Sequence, residues 1–448
     1  MFQRNVLQKL REWRETPERK PLVLRGARQV GKTTVVNLFA KEFKNFIDLN
    51  LDKEEERAIF ENSKNITELI SAIFFIKGKP VSADRTLIFI DEIQNSVKAV
   101  AWLRYFFEEA SDYYVIAAGS LLESLIDNQI SFPVGRVSYL PVRPFSFNEF
   151  VEAIGEKQSA AVLNEVPFPD YAHEKLTSLF RKYALIGGMP EIVKKYVAKP
   201  DVVSLSPVYD ELITSYRDDV EKYARNSENA KLLRIVIGQI FHEAGSRITY
   251  EKFGNTNYRS REMKEAFMTL EKVFLLNLVY PATSAQLPLT ADMRKSPKLQ
   301  VLDTGIINYM SNLQSEFFGT QILTDIYRGR IAEHLTGQEL LSINYTMTRQ
   351  NHFWTKEKSS DAEVDYIFQF NGMLIPVEVK SGKAGKLRSL NEFMELAPHP
   401  YAIRVYSEKL SITKSVTRRG KSFFLLNLPF YLVHQIEAYC GWLVKNAE

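Results

Sequence analysis

PLVLRGARQVGKTTVVNLF, residues 21–39, decides the fold of the first third of the chain. PLVLR is a short apolar run of strand character, GARQVGKT follows it without a spacer, and Val35, Leu38, Phe39 and then Phe43 recur at helical spacing. Strand, Gly-x4-Gly-Lys-Thr, helix is the order in which a glycine-rich turn can wrap its amides around phosphate groups. Gly26 and Gly31 give the turn its freedom, and the helix N-terminus adds partial positive charge. The expected phosphate-binding stretch is Gly26, Ala27, Arg28, Gln29, Val30, Gly31, Lys32, Thr33 and Thr34. Lys32 suits the β and γ phosphates, and the Thr33 hydroxyl suits Mg²⁺. ATP with Mg²⁺ is the implied ligand.

Such a loop needs an acidic partner, and TLIFIDEIQ, residues 86–94, supplies one. Its continuous apolar run fits a parallel strand buried on both faces, with Asp91 and Glu92 at the C-terminal end where ligands bind in open α/β sheets. Asp91 is expected at the metal, and Glu92 as the catalytic group that polarises the hydrolytic water, alongside Lys32. A third strand, YYVIAAGS, ends at Ser120, which suits a sensor of the γ phosphate or an ordinary turn. Arg136, in FPVGRVSYLP, could offer a guanidinium fork to the phosphates, from its own or a neighbouring subunit, or simply lie on the surface.

The phrases RGARQVGKTT, TLIFIDEIQ, VIAAGSLLESL and LPVRPFSFNEF, with YALIGGMPEIV and VLDTGI further on, resemble a prokaryotic AAA+-type ATPase family whose members carry a C-terminal restriction-endonuclease-like domain. The resemblance covers nearly the whole chain. It implies an ATPase domain, a helical and winged-helix middle, and a terminal nuclease fold, and says little about cellular role.

Length agrees with several modules: 448 residues exceed what one hydrophobic core serves. At 45% hydrophobic and 25% charged residues the composition is that of a globular protein. The single cysteine, Cys440, excludes an internal disulfide and any cysteine-cluster metal site. The N-terminal stretch MFQRNVLQKLREWRE lacks the apolar core of a secretory signal, and no later run reaches about 18 apolar residues, so a cytoplasmic location with no membrane contact is expected. The six histidines are scattered without metal-ligand spacing.

From residue 230 apolar positions recur at helical spacing, and again over residues 260–275, followed by LLNLVYPATS and KLQVLD as two strands around a loop with Arg294, Lys295 and Lys298. Helix, turn, helix, hairpin is a winged-helix plan. Arg259, Arg261 and Lys264 on its second helix could meet phosphates, or the unit could serve as a protein-interaction spacer.

AEVDYIFQFNGMLIPVEVKSG, residues 362–382, permits pairing arithmetic. Asn371-Gly372 between apolar strands signals a two-residue type I′ turn, so paired numbers sum to 743. Asp365 then faces Glu378, Glu363 faces Lys380, and Lys380 shares a side with Glu378. Two acids and a lysine on one face are what Mg²⁺-dependent phosphodiester cleavage uses, although an exposed sheet face also carries such pairs as plain solvated charge. The spacing matches the PD-(D/E)xK nuclease pattern, with Val364 in place of its usual proline. That resemblance makes Asp365, Glu378 and Lys380 the catalytic group, Asp365 and Glu378 metal ligands, and Glu333, in the helix candidate RGRIAEHLTGQELL, a further acid at the metal. Net charge is only +4, but residues 376–422 hold ten Lys or Arg against four Glu, which suits a polyanion.

The expected architecture is α/β throughout: residues 1–155 an AAA+-type P-loop ATPase domain with a parallel sheet, 156–225 a helical connector, 226–315 a winged-helix domain, and 316–448 a restriction-endonuclease-like domain. The expected function is an ATPase coupled to Mg²⁺-dependent cleavage of DNA. The alternative is a nucleotide-gated protein that binds or remodels nucleic acid or protein, with a silent nuclease-like fold. Oligomers are compatible with either.

Overall fold

The computed structural model describes residues 2–119, 133, 135–313, 329–357, 362–380 and 387–447. Two compact units emerge: Met1–Arg143 with Lys272–Phe274 and Tyr345–Thr348, and Pro144–Glu271 with Leu275–Asn344 and Arg349–Glu448. Residues 144–150 belong to the second unit because the Phe145 amide donates to the Gly188 carbonyl and the Phe147 amide to the Glu339 carboxylate, both in that unit. Segments 226–271, 275–313, 329–344 and 349–447 share it as well.

The first unit is built on a five-stranded parallel sheet: β1 (Leu22–Arg25), β2 (Asn45–Asn50), β3 (Thr86–Asp91), β4 (Tyr114–Ala118) and β5 (Ser138–Pro141), in the order β2-β3-β4-β1-β5. Every residue of β3 before Asp91 is buried, as a strand covered on both faces requires. Val23, Ile88, Ile90 and Ala117 join Leu69, Ile73, Leu103 and Phe106 from the covering helices in one core, each large side chain contributing about 1.5–3 kcal/mol. Because all five strands are parallel, the C-terminal ends of β1 and β3 lie on the same edge of the sheet.

In the second unit, helices Ser227–Ile240 and Ser260–Lys272 form where the apolar spacing puts them, burying Leu232, Leu233, Val236 and Ile240, and Met263, Ala266, Phe267 and Leu270. They precede an antiparallel pair, β6 (Leu276–Val279) and β8 (Lys298–Val301), in which Val279 faces Lys298. The larger sheet contains β7 (Pro281–Ala282), β9 (His352–Thr355), β10 (Glu363–Phe370), β11 (Met373–Val379), β12 (Tyr401–Tyr406), β13 (Ser411–Val416) and β14 (Ser422–Pro429), in the order β13-β14-β12-β11-β10-β9-β7. It is mixed, with β11, β12 and β14 parallel. Leu390, Phe393 and Met394 of helix Arg388–Leu396 pack on Val364, Ile367, Leu374 and Ala402.

The phrases YALIGGMPEIV and VLDTGI interlock in this unit. Asp303 caps helix Thr304–Met310 by accepting from the Gly305 amide at 2.9 Å, and the same carboxylate accepts from the Gly188 amide at 2.6 Å. At Gly187, with φ of +77°, a Cβ would lie 2.1 Å from the Asp303 Oδ1, so the turn needs glycine there. Tyr183 donates to Glu339 at 2.7 Å inside the same buried polar network.

Candidate functional site

At the C-terminal edge of the parallel sheet, the loop after β1 curls tightly. Gly26 has φ of +152°, and a Cβ on it would lie 2.1 Å from the Val142 carbonyl oxygen. Gln29 and Gly31 also take positive φ, 63° and 92°. Lys32 opens helix Lys32–Phe39 and folds back over the loop, its ammonium donating to the carbonyls of Gly26 at 3.0 Å and Ala27 at 2.9 Å. Burial pulls the Lys32 ammonium down to about 8, against the opposing pull of Glu92 and Asp91. Arg4, which the sequence did not flag, braces the loop by donating to the Val30 carbonyl at 3.0 Å and to the Arg143 carbonyl at 2.6 Å.

Thr33 and Asp91 come together: the hydroxyl donates to Asp91 Oδ2 at 2.7 Å. Burial, and then the neighbouring Glu92, raise the Asp91 carboxyl, while the Thr33 hydrogen bond opposes them. Two hard oxygen donors side by side suit Mg²⁺. Glu92 stands just past β3 in the left-handed region, φ 52° and ψ 41°, a conformation uncommon for glutamate. Gln94 donates to its carboxylate and sets its direction. Gln94, like Arg4, carried no motif signal.

Ser120 lies outside the described residues. Arg136 lies away from this group. It precedes β5, whose Ser138 pairs with Leu22 at the start of β1, so it lies at the edge of the sheet opposite the loop. Its guanidinium pairs with Glu108 at 2.7 Å, on a carboxylate that also accepts from Arg104.

In the second unit β10 and β11 pair from Phe370↔Met373 to Tyr366↔Val377, every pair summing to 743, around Asn371 and Gly372 with φ of 44° and 77°. Beyond Tyr366 the pattern changes. Against β9 the pairs Val364↔Trp354 and Ile367↔His352 leave one extra residue in β10, a bulge that re-aims the side chains beside it. Asp365 sits in that bulge and its Oδ2 accepts from the Val379 amide at 2.7 Å. The expected facing of Glu363 and Lys380 is thereby corrected: Glu363 pairs with Arg247 at 2.6 Å and Lys298 at 2.5 Å, while Lys380 pairs with Glu378 at 2.6 Å.

Glu333, from the first turn of helix Arg330–Ser342, completes the group. Carboxylate oxygens of Glu333, Glu363 and Asp365 lie within 4.8 Å of one another. Among them stands the Lys298 ammonium, 2.8 Å from Glu333, 2.5 Å from Glu363 and 3.4 Å from Asp365. Burial alone would lower that ammonium, but Asp365, Glu333 and Glu363 together hold it above the ordinary lysine value. Burial and Asp365 push Glu333 up to about 7 and Glu378 up to about 8. The sequence placed Lys298 at a loop edge and gave it no role, since nothing in a single lysine reveals which strand will carry it inward.

Residues 18–151 match the AAA domain family; residues 177–316 and 328–431 match two domains of unknown function, DUF8612 and DUF4143. No curated protein matches the chain. Among solved structures the chain is similar to the Walker-type ATPase PABY2304 of Pyrococcus abyssi, with 16% identity and a TM-score of 0.45 over 69% of this chain and 96% of that one. It is also similar to the RuvB Holliday junction branch migration motor of Thermotoga maritima, with 16% identity and a TM-score of 0.28 over 65% and 93% of the two chains. A third, the Aeropyrum pernix ORC1 protein in complex with DNA, has 14% identity and a TM-score of 0.26 over 68% and 91%. The N-terminal unit carries an α/β P-loop domain of the AAA ATPase type. No helix among the described residues is long and apolar enough to cross a membrane.

Proposed function

We propose that the chain is an ATP-hydrolysing motor whose turnover repositions a restriction-endonuclease-like domain on DNA, through the helical segment 156–225 and the winged-helix-like segment 226–315. One observation carries the reading: Lys32, Thr33, Asp91 and Glu92 are gathered at one sheet edge, with Thr33 already on Asp91. Lys32 would exchange two carbonyl partners for phosphate oxygens, a stronger charge-assisted contact. Thr33 and Asp91 would hold Mg²⁺, which when bound neutralises charge on the phosphoryl groups. Glu92, aimed by Gln94, would orient and polarise the attacking water. Arg136 would serve only a nucleotide held by a neighbouring subunit.

For DNA, the support is charge at an exposed sheet edge. β13 closes one side of the mixed sheet, and Lys414, Arg418 and Arg419, on it and just after it, are exposed. Phosphate contacts of that kind give affinity without sequence preference and weaken steeply with salt. Engagement requires only this surface. Cutting requires a divalent ion among the carboxylates, where Lys298 stands.

The test is phosphate release from ATP with and without duplex DNA across a salt series. The reading expects hydrolysis that Glu92→Gln removes, and DNA binding that a Lys414→Ala, Arg418→Ala, Arg419→Ala triple variant weakens at every sequence. Wild-type turnover in Glu92→Gln would reject the motor, and salt-independent binding would reject the DNA surface.

A further inference from the structure

The cluster of Glu333, Glu363 and Asp365 has the donor chemistry of a divalent-cation site. The nuclease-like reading of this sheet demands such an ion, and the inference below the cluster's chemistry rests on that reading. The geometry does not fit one. Mg²⁺ takes oxygen ligands at about 2.0–2.1 Å and keeps much of its water. An ion reaching these three carboxylates would have to stand where the Lys298 ammonium stands, within 3.4 Å of all three.

Nor is Lys298 free to leave. It is the first residue of β8, paired across the ladder with Val279 and bridged on its other side to Arg247. Its side chain is buried, and the ammonium lies 5.1 Å from the centre of the Phe353 ring. Arg247 stacks over the same ring at 4.7 Å and takes the second oxygen of Glu363. Two cations therefore meet three carboxylates around the buried Lys298 ammonium, and withdrawing it would leave Asp365 and Glu333 without their cation. Glu378 lies outside this group of three, and its Oε1 is held by Lys380 at 2.6 Å.

We propose that Lys298 is the permanent counter-ion of the Glu333, Glu363 and Asp365 cluster, standing where a metal shared by these three carboxylates would lie, so that the domain engages DNA without cutting it. β8 belongs to the winged-helix-like segment, so the same ammonium ties that segment to the sheet. A cation that would serve chemistry is replaced by one that serves architecture.

The experiment titrates Mn²⁺ into the full-length chain without nucleotide, followed by electron paramagnetic resonance, and incubates plasmid DNA with the same preparations, ATP and Mg²⁺ or Mn²⁺. Wild type and Asp365→Asn should bind Mn²⁺ identically and leave plasmid intact. Lys298→Gln should gain one Mn²⁺ site that the double variant Lys298→Gln, Asp365→Asn lacks. The proposal is overturned by a wild-type Mn²⁺ site or cleavage that Asp365→Asn removes, or by a folded Lys298→Gln that gains nothing. Should Lys298→Gln fail to fold, the wild-type and Asp365→Asn pair decides alone. ATP hydrolysis on the same samples separates this result from the motor reading: cleavage would sink the counter-ion and leave the motor standing, and absent hydrolysis with the plasmid bound and intact would do the reverse.

Discussion

Two lysines define the two halves of this molecule by contrast. Lys32 is turned over a loop, its ammonium held among the described residues by the carbonyl oxygens of Gly26 and Ala27, and burial pulls it down to about 8. Lys298 is more fully buried, yet three carboxylates hold it above the ordinary lysine value. The first charge is under-compensated and gains by meeting an anion. The second is over-compensated and has no use for one. Whether a buried charge marks a ligand site is decided by how much of its partner set the protein already supplies.

The contrast breaks first, and by the widest margin, at the nucleotide. Lys32→Ala should abolish ATP binding, whereas Glu92→Gln should retain it and lose about 10²–10⁴-fold in hydrolysis. Fluorescent-nucleotide binding and steady-state phosphate release read the two separately. Nucleotide affinity surviving in Lys32→Ala would mean that its charge is not held for phosphate.

Stability supplies the second and opposite measure. Lys298→Met leaves desolvated carboxylates without their cation, which costs about 3–5 kcal/mol. Lys32→Met removes a charge that burial already disfavours, so stability should hold or rise. Urea unfolding of both variants at neutral pH tests this. Equal losses would erase the distinction between the two lysines.

What the residues alone disclose divides along the same line. The loop at Gly26–Thr33 and the acids at Asp91 and Glu92 are local: each motif is contiguous, and parallel strands bring their C-terminal ends to one edge. The turn at Asn371-Gly372 fixed the β10–β11 register for the same reason, through two adjacent residues with positive φ. Recognition failed where contacts are distant in the chain. The bulge at Asp365 depends on β9, which the pairing sum does not include, and Lys298 reaches the cluster from 35 residues before Glu333 and 67 before Asp365. Arg4 and Gln94 act through backbone and neighbour geometry with no motif of their own.

A third kind of buried group sharpens the comparison, an acid that pairs with no cation among the described residues. Glu339 accepts from Tyr183 and from the Phe147 amide, but burial outweighs both and pushes it up to about 7. The folded state therefore keeps a proton that the unfolded chain, near 4.5, has released. Stability from this group is full below about pH 4.5 and is lost as pH rises through about 7, at a slope of up to about 1.4 kcal/mol per pH unit. Glu339→Gln keeps an acceptor for Tyr183 and should flatten that part of the profile in urea titrations between pH 5 and 8. An unchanged slope would show that Glu339 is ionised throughout.

The smallest expected effect belongs to Arg136, whose charge is neither buried nor enclosed. Its carboxylate partner Glu108 also holds Arg104, and the group faces solvent on the edge of the sheet away from the loop. Exposed pairs of this kind add little to stability, because water screens the attraction and two long side chains lose freedom to make it. Arg136→Ala should leave the melting temperature unchanged, and should leave turnover unchanged wherever the chain is dilute enough to be monomeric. If subunits assemble with Arg136 at a neighbour's nucleotide, turnover that rises with protein concentration in the wild type will fail to rise in the variant. Flat turnover in both proteins across that series would confine Arg136 to its surface pair with Glu108. A drop in the dilute variant would mean that the guanidinium reaches its own subunit's phosphates, although the register of β1 and β5 starts it at the far end of β1.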